Sequence, residues 1–558
     1  MRRLDELLAR LRRLDGAPYP AYREAAGSWQ AEGWRLNVEH VQPDPFATPS
    51  RVSVELPVGT HRIPSAYWQD PSRRLGTTNY LLWRFSRVLV STPGGSGHSG
   101  RFFVDAGGPQ LLERSACEFR PDGTLLLRFR VGLPARGRRI LGRAAAELLG
   151  ERLPRAIRAL CGGLAQDEDL RRWAKLAEDH AALRAQLADR GLVAFVRDGS
   201  ILPRVSGVSQ EPLRRAVPFE SPPSLRVRLE APNEGVVEGM GIPTGVTVIT
   251  GGGFHGKTTL LEALELGVYP HRPADGREWV VTRADAVKVR SEDGRAVTGV
   301  DLRPFIDRLP GGKDTSSFTT QDASGSTSLA AAILEALEMG AGVLMIDEDT
   351  AATNLLVRDE RMRQLVRNET ITPLIDRARE LAERFGVSVV LVTGGIGDYL
   401  RVADTVIVMD EYRPRDATEE ARALAGGVRP PALEPLRLTP REVDPASLDP
   451  HRHGRVKVRA RGLRELVYGE EVVDVTGLEQ LVDDSQVRAV GALLQHIWRR
   501  RRGWVSVREA VAEAVEFVRR EGLSALDPSP ELAMPRPFEV AASLNRLRGV
   551  RIRPGGGS

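Results

Sequence analysis

Cysteine is almost missing from this chain: Cys117 and Cys161 are the two in 558 residues. Two isolated thiols make neither a disulfide framework nor a zinc site, and they fit a reducing compartment. Long apolar runs are missing as well. No stretch approaches the roughly 20 residues that cross a bilayer. The start, "MRRLDELLARLRRLDG", is broken repeatedly by charge, which argues against a signal peptide. Its Leu4, Leu7, Leu8, Leu11 and Leu14 instead form one helical stripe, read as an amphipathic helix packed on its own domain. An excess of one charge is also lacking. With 79 basic and 74 acidic residues, the net charge of +5 supports no bulk claim about nucleic acid. The expectation is a soluble, cytoplasmic protein with no membrane partner.

A chain of this length exceeds one core, so two to four domains are expected. Apolar content of 41% and charged content of 27% are ordinary for globular protein. Residues 1–205 read as an N-terminal α+β domain, with strands around the loop in "RVLVSTPGGSGHSGRFFVDAGG" and helices after it. A proline-spaced stretch marks the first boundary. Residues 206–425 then alternate strand-like and helical runs, the signature of an α/β domain. Its strand candidates are "SLRVRLE", "GVTVIT", "EWVVT", "GVLMID", "VSVVLVT" and "TVIVMD". Residues 426–451 read as a proline-rich linker, and 452–558 as a small C-terminal α+β domain with a basic strand. There is no internal repeat.

The segment "TGGGFHGKTTLL" satisfies G-x-x-x-x-G-K-[ST] between a predicted strand and a predicted helix. Glycines let consecutive backbone amides turn inward as an anion nest, and the helix N-terminus adds its dipole. Gly251, Gly252, Gly253, Phe254, His255, Gly256, Lys257, Thr258 and Thr259 are therefore nucleotide-binding candidates. Lys257 would reach the β- and γ-phosphates, and the Thr258 hydroxyl would ligate Mg²⁺. In "GAGVLMIDEDTAATN", Asp347 ends an apolar strand as a second magnesium candidate. Glu348 follows as the carboxylate that polarises the attacking water. A carboxylate there favours hydrolysis over transfer. Between these lies "ASGSTS", whose Ser324, Gly325 and Ser326 open a helix and offer amides and hydroxyls to an anion.

The order of these three segments resembles ABC-class ATPases. "ASGST" is similar to their "LSGGQ" signature, and "DEDTAATN" to "DEPTSALD", which makes residues 351–354 the D-loop. More closely, "GGGFHGKTTLL", "DASGSTS", "MIDEDTAATN", "ITPLIDRAR" and "GGIGDYLRVAD" resemble the soluble predicted ABC-class ATPases with added N- and C-terminal domains. "HVQPDPFATPSRV", "GLPARGRRILGR" and "VTGLEQLVDDSQVRAV" extend the resemblance over nearly the whole chain. It implies a P-loop core of ABC type, ATP and Mg²⁺ as cofactors, and a head-to-tail homodimer. In that dimer Ser324 and Gly325 of one copy cover the ATP on Lys257 of the other. The resembled family is also associated with RNA. Two departures stand out: Gly394 and Gly395 occupy the switch-histidine position, with Asp398 as a possible substitute, and Asp349 replaces the usual proline. No Q-loop glutamine can be placed.

Three outputs compete for the ATP cycle: action on nucleic acid, service as a transporter subunit, and a nucleotide-switched regulator that binds protein. Arginine clusters favour the first. They are "PARGRRILGR", with Arg136, Arg138 and Arg139, "GRVKVRARGLR", and "WRRRRGW". Strand periodicity would put Arg455, Lys457, Arg459 and Arg461 on one face, where a phosphate backbone would suit them. Residues 358–377 carry further arginines, read by default as a salt-bridged helix.

Overall fold

The structure, a computed structural model, describes residues 2–309, 312, 314–359, 365–366, 369–425, 433–500 and 503–555. The chain divides into two compact units: Met1–Glu178 with Glu521–Met534, and Asp179–Arg520 with Pro535–Ser558.

The first unit is built on a six-stranded antiparallel sheet. Trp34–His40 alternates inward and outward side chains, with Trp34, Leu36 and Val38 buried, as a half-buried strand should. Ser50–Leu56 and Leu125–Val131 pair beside it over seven residues. The N-terminal stripe forms the helix Leu4–Arg13, burying Leu4, Leu7 and Leu11. "RVLV" differs from expectation: Arg87 and Val88 end a helix, Pro71–Val88, started by Asp70 accepting from the Arg73 amide. The run is too short for its β-branched residues to override a capped 18-residue helix. The segment Glu521–Met534 returns to this unit. Ser115 N donates to Leu532 O at 2.9 Å, and Arg130 pairs with Glu531 at 2.9 Å.

The second unit carries two sheets in its first half. Leu192–Arg197, Arg226–Ala231, Gly235–Pro243 and Val280–Thr282 form a four-stranded antiparallel sheet. The proline-spaced stretch taken as a boundary is thus a loop between strands of one sheet. The other sheet is parallel but for its last strand. Its elements are β1 (Val246–Gly251), α1 (Lys257–Leu266), β2 (Ala286–Lys288), α2 (Gly325–Glu338), β3 (Val343–Asp347), α3 (Leu374–Phe385), β4 (Ser388–Val392), β5 (Thr405–Asp410) and the antiparallel β6 (Arg413–Asp416). The strand order is β2-β3-β4-β1-β5-β6. All five residues of β3 and of β4 are buried. Both faces of a parallel sheet are covered, which explains the continuous apolar runs read in the sequence. This α/β core with its antiparallel companion matches the expected P-loop class.

Residues after the core belong to the same compact unit, apart from Glu521–Met534. Within the expected linker, residues 426–432 lie outside the described residues, whereas the remainder is packed. Leu436 is buried, and Arg441–Val443 pairs with Ile552–Pro554 and Val505–Ser506. The hairpin strands Val458–Arg461, Glu465–Tyr468 and Glu471–Asp474 follow, then the helices Asp484–Arg500 and Val507–Glu521. Gln480 locks this part to the core. Its amide donates to Glu265 O at 3.0 Å, and its carbonyl accepts from the Tyr269 hydroxyl at 2.9 Å.

Candidate nucleotide site

β1 ends at the carboxyl edge of the sheet, where ligands of open α/β folds collect. Gly251 holds φ at 140° and Gly256 at 96°, conformations that side chains resist. A Cβ on Gly251 would lie 2.2 Å from the Met409 carbonyl oxygen, so the loop hugs β5 as only glycine permits. α1 begins at Lys257 with Gly256 as its N-cap. The Lys257 ammonium donates to Gly251 O at 2.7 Å and Gly252 O at 2.8 Å, curling over its own loop. Thr258 is exposed at the first turn. His255 turns sideways, its Nδ1 2.8 Å from Asp410 Oδ1. Phe254 is fully exposed at the tip.

Two strands away, β3 delivers Asp347 and then Glu348 to the same edge. Asp347 is buried and accepts from the Asp349 amide at 3.2 Å. Burial raises its pKa above the usual carboxylate range, against the Asp349 amide and the Lys288 ammonium. Glu348 goes the other way. Burial would raise it, but the Thr393 hydroxyl, the Gly394 and Gly395 amides and the Lys257 ammonium together hold it low. Its Oε2 accepts from Thr393 Oγ1 at 2.6 Å, Gly394 N at 2.8 Å and Gly395 N at 3.2 Å. The glycines at the switch position therefore grip the carboxylate through their backbone. Asp398 is exposed nearby in sequence. The structure thus brings Lys257, Glu348 and Gly394 together: a Cβ on Gly394 would lie 3.8 Å from Lys257 Nζ.

Ser324 is the N-cap position of the 14-residue α2, yet its side chain makes no capping bond. It contacts Thr327 Oγ1 at 3.0 Å instead; Ser324 is exposed and Gly325 and Ser326 are half-buried. Behind this turn, residues 291–295 form a strap. Ala323 N donates to Arg295 O, Gly294 N to Ala323 O and Glu292 N to Ser328 Oγ, at 2.8 to 3.0 Å. Ser291 N reaches Thr350 O at 2.9 Å. Among the described residues no cluster of three or more His, Cys, Asp or Glu could hold a metal.

The basic candidates are exposed, apart from the half-buried Lys457. Ala135–Arg136 and Arg139–Ile140 form a tight hairpin with Gly137 at φ 58°. Arg136, Arg138 and Arg139 stand out from it, and Arg139 donates to Gly16 O at 3.0 Å. The C-terminal ladder is two pieces, not one face. Arg455–Val456 pairs with His451–Arg452, while Val458–Arg461 pairs with Glu465–Tyr468. The break falls at Lys457, whose backbone bonds to Pro450 O and Gly469 N. Arg461 pairs with Glu465 at 3.0 Å, whereas among the described residues no ion pair reaches Arg452, Arg455, Lys457 or Arg459. Partial desolvation and repulsion from Arg452, Arg459 and Arg461 lower the Lys457 pKa. In "WRRRRGW", Arg501 and Arg502 lie outside the described residues, as do residues 360–364 and 367–368 of the stretch after Arg358.

Sequence reasoning missed Thr393, the strap at 291–295, and the aromatic turn after β5. Thr393 carries a readable signal, as a hydroxyl ending an apolar strand. The other two depend on pairings between distant segments.

The P-loop domain of ABC ATPases matches residues 166–437. The N-terminal domain of ATPases of the ABC class matches residues 4–163, and the MRB1590 C-terminal domain matches residues 457–553. MJ1628, described as an uncharacterized protein of Methanocaldococcus jannaschii, is 30% identical over 243 residues. That match covers 42% of this chain and 53% of the relative, so the chain spans about half of that protein's length. Among solved structures, cbiO1 from Clostridium perfringens, part of the ABC transporter complex cbiONQ, is 17% identical. It aligns over 42% of this chain and 91% of its own, with a TM-score of 0.25. Among the described residues no helix is long and apolar enough to cross a membrane. The three matched domains run in order along nearly the whole chain, which belongs to the ABC-class ATPases that carry an N-terminal and a C-terminal domain around the P-loop domain.

Proposed function

We propose that this chain binds ATP with Mg²⁺, hydrolyses it within a head-to-tail homodimer, and couples the cycle to nucleic acid, with RNA as the first class to test. One observation carries the hydrolytic reading. Glu348 is ionised, oriented by three donors, and set beside the phosphate-loop lysine. On nucleotide binding, Lys257 exchanges the Gly251 and Gly252 carbonyls for β- and γ-phosphate oxygens. Oε2 of Glu348 is occupied by its donors, so Oε1 is the atom left to accept a proton from water. The water oxygen bonds to the γ-phosphorus, and the bond to the β-phosphate bridging oxygen breaks with its electron pair.

Thr258 and Asp347 fit a magnesium ion by the chemistry of their donors. A hydroxyl and a carboxylate are hard oxygen ligands, and burial has raised the Asp347 pKa, so a cation would stabilise its charged form. When bound, the ion neutralises charge across the β- and γ-phosphates. Ser324, Gly325 and Ser326 open a long helix, with Ser324 exposed and the other two half-buried, and they supply the opposing half of the closed site. Arg136, Arg138 and Arg139, and separately Arg455, Lys457 and Arg459, are the phosphate-backbone contacts; Arg461 sits with them but is already paired.

The test is ATPase rate with and without RNA, alongside oligomer mass with and without ATP. Lys257→Ala should abolish nucleotide binding. Glu348→Gln should retain ATP and accumulate as a dimer, and normal turnover by that variant would remove Glu348 from its role. Co-fractionation with membranes and no response to RNA would return the transporter-subunit reading.

A further inference from the structure

We propose that the exposed ring of Phe46 stacks a base of single-stranded RNA whose phosphates lie along Arg136, Arg138 and Arg139. The proposal rests on the nucleic-acid reading above and deepens it, adding a base contact that charge alone does not supply. A single exposed apolar residue is ordinary on a protein surface; the argument lies in how this one is held and what stands beside it. Phe46 is 66% exposed, in the turn between the strands Trp34–His40 and Ser50–Leu56. Asp44 Oδ1 accepts from the Phe46 amide at 2.8 Å and the Ala47 amide at 3.1 Å, which fixes the turn. The buried Gln42 side chain clamps its base. Its amide donates to Asp44 O at 3.0 Å, and its carbonyl accepts from Ser50 N at 3.2 Å and Leu133 N at 3.4 Å. Leu133 leads directly into the arginine hairpin, and the Tyr19 and Tyr22 hydroxyls hold that lead by donating to Leu133 O and Pro134 O.

The glycine-rich loop at residues 92–100 ties the aromatic turn to the hairpin. Ser96 N donates to Ala135 O at 2.8 Å, and Ser96 Oγ accepts from Gly137 N at 2.8 Å. The next residue, Gly97, lies against the aromatic turn with φ at 59°. A Cβ there would sit 2.1 Å from Pro45 O and 3.1 Å from Phe46 N, so a side chain would push the turn away. His98 N then donates to Pro45 O at 2.9 Å. Consecutive Cα atoms are about 3.8 Å apart, so two neighbouring loop residues hold the turn and the hairpin side by side. Ala135 and Ile140 are buried while Arg136 and Arg139 face out, with Arg138 at the tip. Among the described residues no ion pair reaches these three arginines. A ring held in place beside cations without carboxylates is what a single strand requires: charge holds the phosphates, and a base lies on the π-face. A duplex keeps its base faces in its own stack, so the ring serves unpaired strand. A second copy docked on this surface about a two-fold axis would set these guanidiniums against their own kind, which favours a polyanion as the occupant.

The experiment is fluorescence anisotropy of the full chain with three labelled oligonucleotides of one length: a single-stranded RNA, the same backbone built from abasic residues, and an RNA duplex. Phe46→Ala should weaken the single-stranded RNA by about 5- to 150-fold, the range for stacking one base. It should leave the abasic strand and the duplex within about twofold of wild type, while Phe46→Trp keeps the affinity. Replacing Arg136, Arg138 and Arg139 together by Gln should weaken the RNA and the abasic strand alike. That variant should also flatten the salt slope by about 2, which Phe46→Ala leaves where it was. Equal losses for the two single strands in Phe46→Ala would make the ring a mere brace for its turn and overturn the proposal. So would unchanged RNA affinity in that variant, whether alone or with a change in oligomer mass that assigns the ring to a second copy. Unaltered binding in the arginine variant would overturn it from the other side. Wild-type protein that binds none of the three oligonucleotides would overturn the nucleic-acid reading itself, a result distinct from those.

Discussion

At the scale of single residues, Thr393 decides how Glu348 behaves. Its buried hydroxyl accepts from Ile396 N at 2.9 Å and donates to Glu348 Oε2 at 2.6 Å. The accepted bond fixes the direction of the donated one, so the hydroxyl proton points at the carboxylate. A hydrogen bond to a charged group contributes about 1.5–3 kcal/mol. Thr393→Val should accordingly lower kcat roughly tenfold or more, with little change in the Kd for ATP. The pH dependence has a definite sign. Glu348 is held below the ordinary glutamate value of about 4.3, so the stability it contributes is present above that value and lost as pH falls through its lower folded pKa. Removing the Thr393 donor lets burial push the carboxylate up, and the acid limb of kcat should move to higher pH. Asp347 is shifted the opposite way by burial. A limb that moves with Mg²⁺ concentration therefore belongs to Asp347, and one that moves with Thr393→Val belongs to Glu348. An unchanged rate and an unmoved limb in Thr393→Val would show that the two glycine amides suffice.

At the scale of elements, the strap at 291–295 joins pieces that the sequence shows only separately. It bonds to the turn before α2 and to Thr350 after Glu348, and the C-terminal part holds it from behind. Arg546 Nε donates to Glu292 Oε2 at 3.2 Å, and Arg548 donates to Gly294 O at 3.1 Å. Burial would raise the Glu292 pKa, yet the Arg546 guanidinium outweighs it and holds the carboxylate low. Breaking such a pair leaves a charge without its partner in a poorly solvated place. Glu292→Ala should destabilise the protein by about 3–5 kcal/mol, and Glu292→Met with Arg546→Met should recover most of the loss. Denaturant midpoints for the cycle decide it, and additive losses would mean that the pair is not coupled. Legibility divides along the same line. β1, β3, β4 and β5 were readable because both their faces are buried and the apolar runs are unbroken. The phosphate loop, Asp347 and Glu348 were readable because their spacing is local. β2 and β6 were not, being three and four residues long, and the Gly235–Pro243 strand is glycine-interrupted. The basic ladder misled because its alternation continues through Lys457, where backbone bonds to Pro450 and Gly469 end one pairing and begin another.

At the scale of the molecule, 79 basic against 74 acidic residues leave no general field to draw nucleic acid, so any affinity must come from local concentrations of cation. Many arginines here are consumed by carboxylates, as Arg461 is by Glu465. Arg452, Arg455, Lys457 and Arg459 are among the described cations that no ion pair reaches, and partial desolvation with repulsion from Arg452, Arg459 and Arg461 already depresses Lys457. Crowding like charges costs stability in the isolated protein and is relieved when phosphates approach. The C-terminal hairpins share one compact unit with the phosphate loop, so occupancy there has a packed route to the strap. Each phosphate neutralised on a single strand releases counterions, giving a slope near −0.7 per contact in log K against log salt. Reversing Arg455, Lys457 and Arg459 to Glu should therefore weaken RNA binding across sequences and flatten that slope by about 2, with basal ATPase unchanged. The same reversal at Arg136, Arg138 and Arg139 measures the first unit by itself. If the two losses of slope add in the six-residue variant, both patches bind phosphate in one complex; if the first reversal leaves affinity and slope where they were, the C-terminal cations are ordinary surface.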